Sequence, residues 1–164
     1  MNNAQAINIA AQTGDTEQVN ALLAADPTLV SAHGDDGWTP LHLAFYFGHQ
    51  ATAEALLAQG ADVHAWTTND LVNQPIHAAT AGQHYDAVAL LLAHGAAVDT
   101  RQHGGWVPLH GAADDGRDDL ILLLLEHGAD VNAANDTGQT ALSLAQAANH
   151  PETVALLRAH GATG

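Results

Sequence analysis

The sequence predicts an all-α solenoid of stacked helix-turn-helix units. Three observations carry the prediction. A proline-centred motif recurs at Ala6, Pro40, Pro75, Pro108 and Ala141, with spacings of 34, 35, 33 and 33 residues. Fifteen residues after each position comes an apolar block, from Ala21-Leu22-Leu23 and Ala55-Leu56-Leu57 through Leu90-Leu91-Leu92 and Leu123-Leu124-Leu125 to Leu156-Leu157. Five residues after the start of the block stand Gly60, Gly95, Gly128 and Gly161, and only the first copy has Asp26-Pro27 there. A fixed period of this length marks a repeat architecture, in which each unit buries its apolar face on its neighbour. The repeats run approximately 4–36, 37–71, 72–104, 105–137 and 138–164, within a single domain 1–164.

Each unit reads as two short helices and a turn. In the second copy Thr39 is the N-cap candidate, with Pro40 at the first helical position, where a missing N–H is harmless. Leu41 and Ala44 share one face. Gly48 ends the helix by accepting a left-handed conformation. A second helix follows with Ala51, Ala55 and Leu56 inward, and Gly60 closes it. Ala61-Asp62-Val63 then leads into a polar turn. Neither helix is long enough to be stable alone, so the units must stack. In the third copy Gly82 comes one place early and Gln83 takes its slot. In the fifth, Asn149 replaces the glycine, and asparagine tolerates the left-handed region. At the position of His42, His77 and His110 the first copy has Asn8 and the last has Ser143. Both are expected on outer faces that no neighbour covers, so the array is expected to start and stop inside the chain.

The motifs Thr39-Pro40-Leu41-His42-x-Ala44, Gly48-His49 and Leu123-Leu124-Leu125-x-His127-Gly128-Ala129-Asp130-Val131-Asn132, with the 33-residue period, resemble the ankyrin repeat. The match is strongest in copies two and four, good in copy three, and cap-like in copies one and five. The resemblance implies helix pairs carrying short β-hairpin fingers, and binding through finger tips and a concave inner-helix face. It also implies that His42, His77 and His110 brace backbone between neighbouring repeats.

Composition narrows the function. Of 164 residues, 47% are apolar and 13% charged, so a core is expected and disorder is not. The net charge is −15; the basic residues are Arg101, Arg117 and Arg158, and there is no lysine. Such a chain repels nucleic acid and anionic membrane and favours a basic protein partner, although acidity also serves solubility alone. No cysteine is present, which removes disulfides and thiolate chemistry and suits a reducing, cytoplasmic compartment. Neither a signal peptide nor an apolar run of membrane-spanning length is legible. The chain is expected to be a monomer.

Twelve histidines invite a metal hypothesis, but most fall on repeat positions. His94, His127 and His160 precede the closing glycines, where a donor or cation suits a helix C-terminus. Equivalent positions in adjacent repeats lie roughly 8–10 Å apart, too far to share an ion that needs each ligand within about 2 Å. No metal, cofactor or catalytic residue is assigned, and an enzyme is not expected: nucleophile, phosphate-loop and zinc-protease signatures are absent. Asn135-Asp136-Thr137 reads as a turn.

The candidate partner-binding residues are Trp38, Tyr46, Phe47, Trp66, Asp70, Trp106, Asp114 and Asp115. Trp38 and Trp106 share one slot, and Trp66 lies on the second finger. Tyr46 and Phe47 occupy the variable end of an inner helix, while Phe45 is expected to fill core. Exposed Trp and Tyr are common interface anchors; the competing possibility is that the tryptophans lie flat against adjacent fingers. Asp114-Asp115 occupies the same slots in copy four, and an acidic pair at a helix end opposes the dipole, which hints at a basic ligand. Between Leu57 and Pro75 the linker is two residues longer than its counterpart from Leu125 to Ala141, so the second finger should be irregular. That length is either a binding feature or neutral loop drift. The alternative function is small-molecule or metal binding at this finger, around Trp66, His64 and His103.

Overall fold

The structure is a computed structural model, and it describes residues 2–163. Its helices follow the motif positions: α1 (Asn3–Thr13), α2 (Thr16–Ala25), α3 (Pro40–Tyr46), α4 (Gln50–Ala58), α5 (Pro75–Ala81), α6 (Tyr85–Ala93), α7 (Pro108–Asp114), α8 (Asp118–Glu126), α9 (Ala141–Ala147) and α10 (Pro151–Ala159). The chain forms two compact units, Met1–Ala96 and Ala97–Gly164. In the first, α3 packs between α1 and α5, and α4 packs on α2 and α3. In the second, α7 packs on α9, and α8 packs on α7 and α10. Among the described residues no helix is long and apolar enough to cross a membrane.

Local chemistry explains the starts and stops. Thr39 caps α3, with Pro40 at its first position. At α5 and α7 the capping is reversed. The N-cap N–H of Gln74 donates to His77 Nδ1 and that of Val107 to His110 Nδ1, both at 3.1 Å. Stops occur through left-handed residues: Gly48 has φ 73°, and Gln83 (60°) and Asn149 (61°) take the same conformation where the sequence has displaced the glycine. His127 Nδ1 and His160 Nδ1 lie 2.9 Å from the Leu123 and Leu156 carbonyls, serving the helix ends as expected.

The core of the first unit is built from Ile7, Leu41, Phe45, Leu56, Ile76 and Leu91, and that of the second from Leu109, Leu120, Ile121, Leu124, Leu142 and Leu157. Phe45 fills core as its position suggested.

Three expectations are corrected. In α4, Thr52, Ala53 and Leu56 are the buried residues, whereas Ala51 is exposed and Ala55 half-buried. Thr52 turns inward because its hydroxyl pairs with that of Thr16 on α2 at 2.7 Å, which satisfies a buried polar group. Asn8 is also buried rather than on an uncovered face, and its Nδ2 donates to the Trp38 carbonyl at 2.9 Å. His42 donates to the equivalent carbonyl one repeat on, that of Asn73, so asparagine does the histidine's work with a shorter reach. Finally, β-hairpin fingers are not formed among the described residues; the single antiparallel bridge joins Ala134 and Thr140. Three of the fingers are instead closed as tight loops. A backbone N–H···O=C bond of 2.9 Å links Gly34 to Trp38, Gln102 to Trp106 and Asn135 to Gln139, four residues apart in each case.

Candidate functional site

The second finger shows what two additional residues do. Its closing bond runs from Thr67 N–H to Asn73 C=O, six residues apart instead of four. The enlarged loop is organised by side chains. Thr67 Oγ1 accepts from Asn73 N–H and donates to Asn69 Oδ1, which also accepts from Leu71 N–H. Asn69 Nδ2 donates to the Asp36 carbonyl, and Thr68 N–H donates to that of Gly37, tying this finger to the first. The loop presents Leu71 and Val72 to solvent, and Val72 has φ 43°. A β-branched residue in the left-handed region is strained, by about 1–3 kcal/mol.

The aromatic residues of the first unit form a connected run. Trp38 meets Tyr46 edge-on at 5.4 Å, and Tyr46 meets Phe47 at 5.1 Å. Trp38 also meets the ring of buried His42 at 5.9 Å, so the run is seated on the repeat brace. Edge-to-face geometry at these distances is favourable and holds the rings in place. Trp38 is half-buried, while Tyr46 and Phe47 are 38% and 42% exposed. Trp38 therefore supports the run, and Tyr46 and Phe47 present its surface.

Trp66 is 43% exposed, and among the described residues no ring contact joins it to the run. Its carbonyl lies 3.0 Å from His33 Nε2, which fastens the finger backbone and leaves the indole outward. Asp70 is exposed at the tip of the same finger. In the second unit, Trp106 repeats the seating of Trp38 against His110, at 5.8 Å. Asp114 and Asp115 are exposed at the end of α7, and the Asp114 carbonyl is capped by His150 Nε2 at 3.0 Å. Ile9, Leu71 and Val72 are exposed apolar residues beyond the sequence-based set. Only the Leu71-Val72 pair carried a legible signal, as an apolar dipeptide inside a polar loop.

Burial disfavours the charged form of the braces His42 and His110. His42 Nδ1 lies 2.7 Å from Thr39 Oγ1 and its Nε2 lies 3.2 Å from the Asn73 carbonyl. Burial pushes its pKa down from 6.5 to about 4, with the Asn73 carbonyl opposing and His33 and His77 adding to the drop. His110 is shifted the same way, chiefly by burial. Its Nδ1 accepts from Val107 N–H, so the proton sits on Nε2 and is donated to the Ala133 carbonyl at 2.8 Å. A second set of histidines caps helix ends one repeat back: His49 Nε2 lies 2.9 Å from the Gln12 carbonyl and His84 Nε2 3.1 Å from that of Tyr46. These rings are engaged in backbone work. Among the described residues no three His, Asp or Glu side chains are grouped to hold a metal ion.

Recurring helix pairs, with buried His42 and His110 as braces and closed finger loops between the pairs, define a helical repeat protein whose inner helices and fingers carry the individual residues. The family model for ankyrin repeats (3 copies) matches residues 2–67 and 65–135, and the chain belongs to that family. Ankyrin repeat domain-containing protein 49 of Homo sapiens is 45% identical over 58 residues, covering 35% of this chain and 24% of that protein. A putative ankyrin repeat protein of Rickettsia felis is 39% identical over 66 residues, covering 40% and 29%. The serine/threonine-protein kinase VIK of Arabidopsis thaliana is 38% identical over 85 residues, covering 52% and 19%. The matched segments span less than a third of each of these relatives. Ankyrin repeats are generally protein–protein interaction modules and generally non-enzymatic.

Proposed function

We propose that this chain is a non-catalytic interaction module that binds a protein partner with a basic segment through its inner-helix and finger surface. The observation that carries the reading is the Trp38–Tyr46–Phe47 run, which exposes two large rings on a braced helix end. Rings held in advance lose little entropy on binding, which is what an interface anchor requires. Trp66 and Asp70 extend the surface along the second finger. The second unit presents a smaller counterpart of its own in Trp106, Asp114 and Asp115. The net charge of −15 favours a basic partner and disfavours nucleic acid and anionic membrane. We further propose a monomer working in the cytoplasm, in keeping with the absence of cysteine.

Affinity capture with wild type and with Trp38→Ala, Tyr46→Ala, Trp66→Ala and Asp114→Ala tests the reading. Loss of the captured protein with Tyr46→Ala, in a variant with unchanged circular dichroism, supports it. Recovery of the same proteins by all four folded variants sinks it. A second reading, small-molecule or metal binding at the second finger, is favoured by Asn73 Oδ1 and Gln74 Oε1, which are buried there without a donor from the protein. Tryptophan fluorescence titrated with divalent ions distinguishes the two, since a saturable change is expected only under the second.

A further inference from the structure

Beside the aromatic run lies a pocket of about 430 Å³, formed by α1, the first finger and Leu43 of α3. Its polar lining is rich in acceptors. Asp35 and Asp36 stand on the finger and Asn8 on α1. Asn8 is 6% exposed, and its Oδ1 is buried with no donor from the protein. The amide cannot be turned round to remove the problem, because Nδ2 is committed to the Trp38 carbonyl and an oxygen there would face an oxygen. An unpaired buried carbonyl is unfavourable by about 1–3 kcal/mol, and a ligand donor would recover that. The carboxylates are short of cations as well. Residues 1–96 contain nine Asp and Glu and neither Lys nor Arg. Asp35 Oδ2 accepts from Gln5 Nε2 at 2.6 Å, and Asp36 Oδ1 from Trp38 N–H at 3.1 Å, so among the described residues both are oriented by neutral donors. The rest of the wall is Gln5, Gln12 and Gly34, with apolar surface from Ile9, 47% exposed, and Leu43.

We infer that this pocket receives an arginine side chain of the protein partner, its stem along Ile9 and its guanidinium among Asp35, Asp36 and Asn8. The inference rests on the protein-partner reading above and supplies the chemistry of one anchor. Arginine fits better than lysine on three counts. The acceptors come from separate residues and suit a planar group with five N–H donors rather than a compact ammonium. The guanidinium is the more weakly hydrated cation, so it gives up less hydration on entering the pocket. It also donates to carboxylates in pairs. The site joins the aromatic run through Trp38, whose N–H is held by Asp36 and whose carbonyl is held by Asn8. One peptide can therefore fill the pocket and lie across Tyr46 and Phe47.

The test titrates isotope-labelled protein with N-acetyl-arginine methylamide, its lysine counterpart and its citrulline counterpart, the last an uncharged near-isostere. The Asn8 side-chain amide and the backbone amides of Gly34, Asp35 and Asp36 should shift saturably with arginine, at least tenfold more tightly than with the other two. The double variant Asp35→Asn/Asp36→Asn should lose at least tenfold; each substitution keeps an acceptor oxygen for Gln5 or Trp38, and circular dichroism checks the fold. Equal binding of citrulline or lysine, or shifts confined to other residues, overturns the assignment. The titration needs no partner, so failure here is separable from failure of the interaction reading. If arginine binds but the double variant captures the partner as well as wild type does, the pocket's role as an anchor is overturned and the aromatic surface stands on its own test.

Discussion

Acid should weaken this fold through its braces, and His42 allows the size of the effect to be worked out. The ring is fully buried, and its pKa falls from 6.5 to about 4, mainly through desolvation. A pKa lower in the folded than in the unfolded state means that the unfolded chain binds the proton more tightly. The contribution is therefore complete above about pH 6.5 and is lost as the pH falls towards 4. For these two values, the stability lost between neutral pH and pH 5 is about 2 kcal/mol. Other groups titrate over the same range, so the measurement is a difference. His42→Gln retains a donor for the Asn73 carbonyl and does not titrate. Urea unfolding of both proteins, followed by circular dichroism at pH 7.5 and 5.0, should show wild type ahead at pH 7.5 and its advantage reduced by about 2 kcal/mol at pH 5.0. An advantage of the same size at both values would refute the neutral, buried brace.

Four further substitutions probe the rest of the account. Gly48→Ala should destabilise by about 2 kcal/mol or more, because φ is 73° and the added Cβ would stand 2.5 Å from the His84 ring. Gly60→Ala, with φ 87° but open space around it, should be less damaging, by about 1 kcal/mol in urea unfolding. Val72→Gly should raise stability by about 1 kcal/mol by releasing the strained conformation, visible as a higher urea midpoint. Arg117→Ala should lower stability by about 1 kcal/mol or less, since its 2.7 Å bond to Asp119 joins a half-buried guanidinium to an exposed carboxylate.

The helix starts and stops were legible because they depend on single residues with narrow backbone preferences. Pro40, Pro75 and Pro108 mark first helical positions, and Asn149 could be read as a left-handed stop, whereas for Gln83 only its place in the glycine slot was legible. The Gly-His motif was half legible. Within one repeat, Gly48 and His49 look like partners, yet each serves a neighbour: His49 reaches the Gln12 carbonyl, and the space left by Gly48 admits the His84 ring. Spacing along the chain does not reveal which repeat a side chain reaches into. For the same reason Asn8 was misplaced, since an asparagine in a histidine slot resembles a polar cap until its bond to Trp38 is seen. At the candidate surface, sequence could nominate exposed aromatics because they depart from the repeat pattern. It could not separate half-buried Trp38 from exposed Tyr46 and Phe47, or foresee a pocket whose walls come from α1, a finger and α3.

The face that meets the partner is the feature on which the proposed function turns. Hydroxyl-radical footprinting of the captured complex reads that face directly, because its leading residues are aromatic and oxidise readily. Tyr85, 41% exposed at the start of α6, serves as the comparison ring. The account predicts that oxidation of Tyr46, Phe47 and Trp66 falls on complex formation while Tyr85 is unchanged. Protection of Tyr85 with Tyr46 and Phe47 still reactive would contradict it.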